Sequence, residues 1–405
     1  MRMSARLAVA CAVGLCLGPS FARDFAVGEK TGAAIQKAID AAFAEGGGRV
    51  VVPAGEYPSG SLRLRSRVEL HLEQGARLVG GTKSEDYFSF PDEICAIKPE
   101  HSSKVFLYAW NEQDIAVTGA GTVDAQGLAF FDHKTLKWGF FAKPPVERPR
   151  LVQFVNCRGI RLEGVTFRDS PCWAMLIRLC EDITVDGIKI YNDQRMINSD
   201  GIDFDGCRHV RVKNSDFRTG DDCLIMRAMR EAGDDRQVVC EDVVVTDCTL
   251  DSACQCVRMG CPSDDTIRNI TFRNITLKGN IGLNFDYPAR YLRPTDEGYM
   301  DIHDIRFENV KGALRRIPIR IETEPGVKIR SVRNVLFKDF DIRGGQPNRF
   351  IGNVFSKIEN VRFENVTVNG ERQPDGLVAA DCSNAAPLKR VNVSSWETKT
   401  QKKAK

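Results

Sequence analysis

The 405-residue sequence predicts an all-β fold, a single-domain solenoid of the parallel β-helix type, and three observations lead there. A two-strand unit recurs along the chain. Helical periodicity is confined to one short stretch. Four cysteines occupy the same place in four successive units. Each unit runs polar, Asn or Asp, Ile or Val, x, apolar, x, turn residue, Val or Ile. Clear examples are GIRLEGVTF after Arg158, DITVDGIKI after Glu181 and ENVRFENVTV after Ile358. The aligned residues are Ile160, Ile183, Val210, Val243, Ile270, Ile305, Val335 and Val361, at intervals of 23 to 35 residues. Weaker members begin at Val68 and Ile115.

Such a unit cannot bury its apolar face alone and must stack on its neighbours. Ankyrin and tetratricopeptide repeats need amphipathic helices, which these units lack. Leucine-rich repeats need a Leu-x-x-Leu-x-Leu frame, also missing, and a propeller blade needs ~40–50 residues. A parallel β-helix of about ten rungs remains, with side chains alternating in and out along each strand.

The elements follow in chain order. Arg2 and Arg6, the apolar run Leu7 to Leu17, and Ser20-Phe21-Ala22 form the three-part pattern of a cleaved secretory signal peptide, residues 1–22. A secreted or periplasmic location is therefore expected. Residues 23–390 form the β-helix domain and 391–405 a basic C-terminal tail. Thr31 is placed to cap a short helix carrying Ile35, Ile39 and Phe43, which would close one open end of the stack. Gly46-Gly47-Gly48 ends it, and Arg49 to Val52 reads as a strand. The long excursions 128–150 and 284–300 are the expected groove walls.

Cys157, Cys180, Cys207 and Cys240 read as a buried ladder of small apolar thiols, spaced ~4.8 Å by the stacking, rather than as disulfides. Cys254, Cys256 and Cys261 lack a Cys-x-x-Cys pair or a nearby His, so no zinc site is read there. Asn269, Asn274, Asn365 and Asn392 match glycosylation sequons, but three lie in repeat turns, where Asn has a structural use.

Composition excludes several classes. With 42% hydrophobic residues and a net charge of +3, the chain is neither disordered nor a nucleic-acid binder by charge. It is too long for a disulfide-held mini-protein, and no run beyond the N-terminus is long enough to span a membrane.

The chemistry concentrates in residues 198–223, NSDGIDFDGCRHVRVKNSDFRTGDDC. Asp200, Asp203, Asp205, Asp221 and Asp222 fall within little more than one rung, and stacking brings the turns of Asp200 and Asp221 together. Crowded carboxylates raise one another's pKa and favour a shared proton, which suits a general acid beside a general base. Ordinary Asp-Gly turns or an oxygen-rich calcium site are the competing explanations.

Here the sequence resembles glycoside hydrolase family 28, the polygalacturonases and rhamnogalacturonan hydrolases. NSDGIDFDGC and TGDDCLIM carry the resemblance, with GAAIQKAIDAAFAEGGGRVVVPAGEY at 32–57, GAGTVDAQG at 119–127 and ERPRLVQFVNCRGIRLEGVTFRDSPCW at 147–173. The resemblance implies a right-handed, pectin-lyase-like β-helix and an inverting, secreted hydrolase that needs no cofactor or metal. It implies that Asp221 protonates the departing glycosidic oxygen, and that Asp200 and Asp222 position and deprotonate water. Inverting glycosidases usually hold the two carboxyls ~6.5–9.5 Å apart.

Two departures bear on substrate. Gln255 stands where polygalacturonases carry a His, and Asn284-Phe285-Asp286 stands where they carry Arg-Ile-Lys, a cationic pair for the galacturonate carboxylate. Asn and Asp in those places make plain polygalacturonan doubtful and favour a neutral or deoxy sugar there, or a mixed acidic glycan. Arg227 and Arg258, on the same rungs, either read an anionic group or are solvated charges. Tyr287 and Tyr291 either stack on sugar or pack loops. With Asn198 of the first motif, these complete the expected substrate contacts. The expected partner is a polysaccharide or oligosaccharide, met by a monomer. A polysaccharide lyase and a non-catalytic glycan-binding β-helix are the alternatives.

Overall fold

The computed structural model describes residues 23–231, 236–260, 263, 265–287 and 300–386. The chain winds as a right-handed parallel β-helix whose strands join one continuous sheet. Ile160, Ile183, Val210, Val243, Ile270, Ile305, Val335 and Val361 pair in that order, as the repeat requires. Two positions further along each strand, Leu162, Val185, Val212 and Val245 pass to Phe272, Phe307, Phe337 and Phe363, all facing inward. Rung spacing suits ring stacking: Phe272 lies 4.9 Å from Phe307 and Phe307 5.5 Å from Phe337, with planes nearly parallel.

Asn and Asp at the bends take the left-handed conformation and bond one another along the stack. Asn309, at φ 53°, donates to Asn274 at 2.8 Å, and Asn274 donates to Asp247 at 2.9 Å. Asn365 donates to Asp339 in the same way at 2.6 Å. These asparagines therefore have the structural use expected of them; Asn392 lies outside the described residues.

The helix α1, Gly32–Ala44, lies across the first rung. Thr31 caps it, its hydroxyl accepting from the Ala34 N–H at 3.2 Å, and Ile35 and Ile39 are fully buried. At the far end, Glu371–Arg372 and Gly376–Leu377 fold back antiparallel onto the strand Lys357–Val368.

The cysteine ladder is present. All eleven described cysteines are free thiols. Cys157, Cys180, Cys207 and Cys240 are buried, with the Cys157 N–H donating to Cys180 Sγ at 3.3 Å. Among the described residues, no helix is long and apolar enough to cross a membrane.

The expected walls are met unevenly. Residues 128–150 include a small hairpin, Leu136–Lys137 with Phe140–Phe141, and Phe141 packs with Phe131 and Met196 just ahead of Asn198. Residues 284–287, by contrast, belong to the strand Thr266–Tyr287 and so lie in the sheet itself. Residues 288–299, Tyr291 among them, lie outside the described residues. A further excursion at 81–103 lays Phe88 and Phe90 against Tyr108 and Trp110 on the same sheet face as the aspartates.

Candidate active site

Asp200 and Asp222 are neighbours across one rung step. The Gly201 N–H donates to Asp222 O at 2.8 Å, and the Cys223 N–H donates to Gln255 O at 3.0 Å. Asp200, Asp222 and Gln255 therefore stand on three successive turns. The two glycines beside the aspartates are needed for close approach, since neither has a positive φ. A Cβ on Gly201 would come within 2.2 Å of Cys223 O, and one on Gly220 within 2.3 Å of Met196 O. At Gly201 and Gly220 close packing requires glycine, whereas Gly206, after Asp205, takes the left-handed conformation of an ordinary turn at φ 63°.

The backbone around Asp221 is pinned. Its carbonyl accepts from the Thr219 and Ser252 hydroxyls at 2.6 and 2.7 Å, and the Gly220 N–H donates to Ser199 Oγ at 3.1 Å. Oxygens of Asp221 and Asp222 and the Cys254 sulfur lie within 4.8 Å of one another. Two carboxylates and a thiol fall well short of the ~6–8 oxygens that calcium takes. The Asp221–Asp222 separation is also narrower than the usual inverting spacing.

The electrostatics raise two of the three acids. Burial, then the charge of Asp222, pushes Asp221 up to about 7. Burial, then Asp221, pushes Asp200 well above the usual carboxylate range, and its Oδ1 has no partner. Asp222, 1% exposed, is held as an acceptor on both oxygens. Arg258 Nη1 donates to its Oδ2 at 3.1 Å and the Gln255 backbone N–H to its Oδ1 at 3.2 Å. The Gln255 side-chain amide, oriented so that nitrogen rather than oxygen faces the carboxylate, donates to Asp222 as well.

The other expected contacts are placed as follows. Asn198 Oδ1 accepts from the buried Arg148 at 3.0 Å. Arg227 is not a solvated charge: it is 2% exposed, donates to Asp203 at 2.8 Å and lies over the Trp173 ring. Burial raises Asp203 to about 7 despite that pair. Arg258 is likewise no solvated charge, being bound to both Asp222 and Asp286. Asn284 is fully buried and accepts from Arg320 Nε at 2.6 Å. Asp286 accepts from Arg258 at 2.9 and 3.0 Å and from Arg320 at 3.3 Å. Burial opposes its charge, but the two guanidiniums outweigh that and hold it below the usual carboxylate range. Tyr287 ends the same strand.

The cations that Asn284 and Asp286 lack are present on adjacent rungs, because Arg258, Asn284 and Arg320 are in register. Arg320 is not apparent from the sequence, since 36 residues separate it from Asn284. Arg148 is not apparent either; only its place in the fold, beneath Asn198, marks it.

A parallel β-helix carrying carboxylates on neighbouring rungs, on one outward face, defines a carbohydrate-active solenoid. The chain belongs to glycosyl hydrolases family 28, whose model matches residues 48–232 and 229–359. It is 30% identical over 198 residues to a probable polygalacturonase of Vitis vinifera, covering 45% of this chain and 38% of that protein. It is 23% identical over 366 residues to a probable exopolygalacturonase B of Aspergillus niger, covering 86% of this chain and 74% of that one. The alignment with the grape protein thus spans well under half of that protein's length. In three dimensions it is similar to a hyperthermoactive exopolygalacturonase from Thermotoga maritima. The TM-score is 0.67 at 22% identity, over 88% of this chain and 94% of that one. It also matches an endo-xylogalacturonan hydrolase from Aspergillus tubingensis, with a TM-score of 0.63 at 13% identity, over 90% of this chain and all of the other.

Proposed function

We propose that this chain is an exported inverting glycoside hydrolase that cleaves a pectic or related acidic polysaccharide, or oligosaccharides from it. One observation carries the reading: Asp221 and Asp200 are raised, while Asp222 beside them has both oxygens held by donors. Asp221, raised to about 7, keeps a proton to give to the leaving glycosidic oxygen. Asp222, bound by Arg258 and Gln255, is the base that draws a proton from water, with Asp200 helping to seat that water. The narrow Asp221–Asp222 spacing by itself would suit a retaining pair. Both Asp222 oxygens are engaged, however, which suits a base better than a nucleophile that must swing onto a sugar carbon. The chemistry asks for no cofactor. The export pattern at residues 1–22 lies outside the described residues and supports a secreted or periplasmic setting. The relatives' names point to galacturonan-type substrates.

The test is release of reducing ends and of unsaturated products from a pectic glycan panel, with and without Asp221→Asn. Wild-type hydrolysis lost by at least ~1,000-fold in a folded variant is expected. Ultraviolet-absorbing unsaturated uronides would instead establish a lyase, and a fully active variant would remove Asp221 from its role. The anomer formed first, followed by NMR, decides inversion.

A further inference from the structure

Beside the aspartates stands an anion seat built from two arginines and filled by the protein itself. Arg258, Asn284 and Arg320 stand in register on three successive rungs. Asp286, two residues beyond Asn284, reaches between the arginines. Arg258 meets it with a two-pronged contact, Nε to Oδ1 at 2.9 Å and Nη2 to Oδ2 at 3.0 Å, and Arg320 adds Nη2 to Oδ2 at 3.3 Å. This is the fork geometry in which a guanidinium takes a free carboxylate. Arg258 also holds Asp222, so the seat adjoins the proposed reaction centre directly. The side chains of Asp286, Arg258 and Arg320 keep 12%, 9% and 19% of their surface open, so the seat reaches solvent rather than lying in the core.

We propose that Asp286 is a specificity-determining residue. Its carboxylate occupies the place that a uronic acid carboxylate would take, so the subsite next to the cleavage point accepts a sugar without a carboxylate, such as a neutral or 6-deoxy hexose. The charge count supports this: two guanidiniums face Asp286 and Asp222, leaving no net positive charge for an incoming anion. Without Asp286 one positive charge is left over. The proposal rests on the glycosidase reading for the position of cleavage, yet binding tests it without turnover.

Trigalacturonate and its carboxyl-reduced counterpart, a neutral trisaccharide, are titrated calorimetrically into Asp221→Asn, Asp221→Asn/Asp286→Ala and Asp221→Asn/Asp286→Asn. The first protein should prefer the neutral trisaccharide by at least ~10-fold. Either Asp286 substitution should tighten trigalacturonate by at least ~10-fold and change the neutral ligand by less than ~3-fold. Equal changes for both ligands, no tightening, or no measurable binding by folded variants would overturn the proposal. Wild-type hydrolysis is assayed separately. A seat that switches preference in a protein that cleaves nothing would keep this inference and remove the hydrolytic one.

Discussion

Arg258 Nη1 lies 3.1 Å from Asp222 Oδ2, one rung step away, and the same guanidinium takes Asp286 through Nε and Nη2. A charged donor at that distance fixes the orientation of a buried carboxylate.

Replacing that arginine should therefore lower the rate. In Arg258→Met, Asp222 loses a donor that orients its Oδ2, and kcat/KM should fall about 100-fold. Steady-state kinetics on the folded variant check this; a change under ~3-fold would remove Arg258 from any part in catalysis.

The elevated Asp221 sets the alkaline limb of the pH profile. A general acid must carry its proton, so activity should fall as pH rises through about 7. Stability follows the same sign. Asp221 is raised in the folded state, so its stabilising proton is fully present below the ordinary carboxylate value of 3.8 and is lost as pH rises through about 7. Asp221→Asn, which cannot ionise, should match the wild type near pH 4 and melt at least ~3 °C higher at pH 8. Calorimetry at the two pH values decides it.

Beneath the groove, Arg178 and Asp205 form an ion pair with essentially no exposure, and both also bond Met229 of the following rung. Removing one partner leaves the other charge buried and unpaired. Arg178→Ala should destabilise by about 3–5 kcal/mol in denaturant titrations. A loss under ~1 kcal/mol would mean that water reaches the pair.

The bend asparagines make a distinct prediction. Asn309 holds φ 53° and donates to Asn274. Asn309→Ala should cost about 1–2 kcal/mol through strain and the lost bond, while Asn309→Gly should recover part of it by relieving the strain. If alanine and glycine cost the same, the bond alone matters.

The β-helix was legible because its determinants are local and periodic. Ile160 and its seven counterparts announce the rung length, and each pairs as the spacing requires. Asp200, Asp221 and Asp222 were legible for the same reason, being one rung apart. What escaped depends on distances that sequence does not count. Arg320 joins Asp286 across an excursion of irregular length, and Arg148 reaches Asn198 from 50 residues away. Asn284 and Asp286 look like lost cations in the sequence because a column of side chains is read across rungs, not along the chain. The segment 284–287 reads as a wall in the sequence because it falls between repeats, yet it belongs to a strand.

The two ends of the solenoid have one more consequence. Any stack of parallel strands presents unpaired N–H and C=O groups at its first and last rungs, a template on which another chain can add. Here α1 lies over one terminus, and the antiparallel return of Glu371–Arg372 and Gly376–Leu377 lies against the other. A repeat that could in principle propagate as a filament is thus stopped at a fixed number of turns, and the length of the face that carries the aspartates is fixed with it.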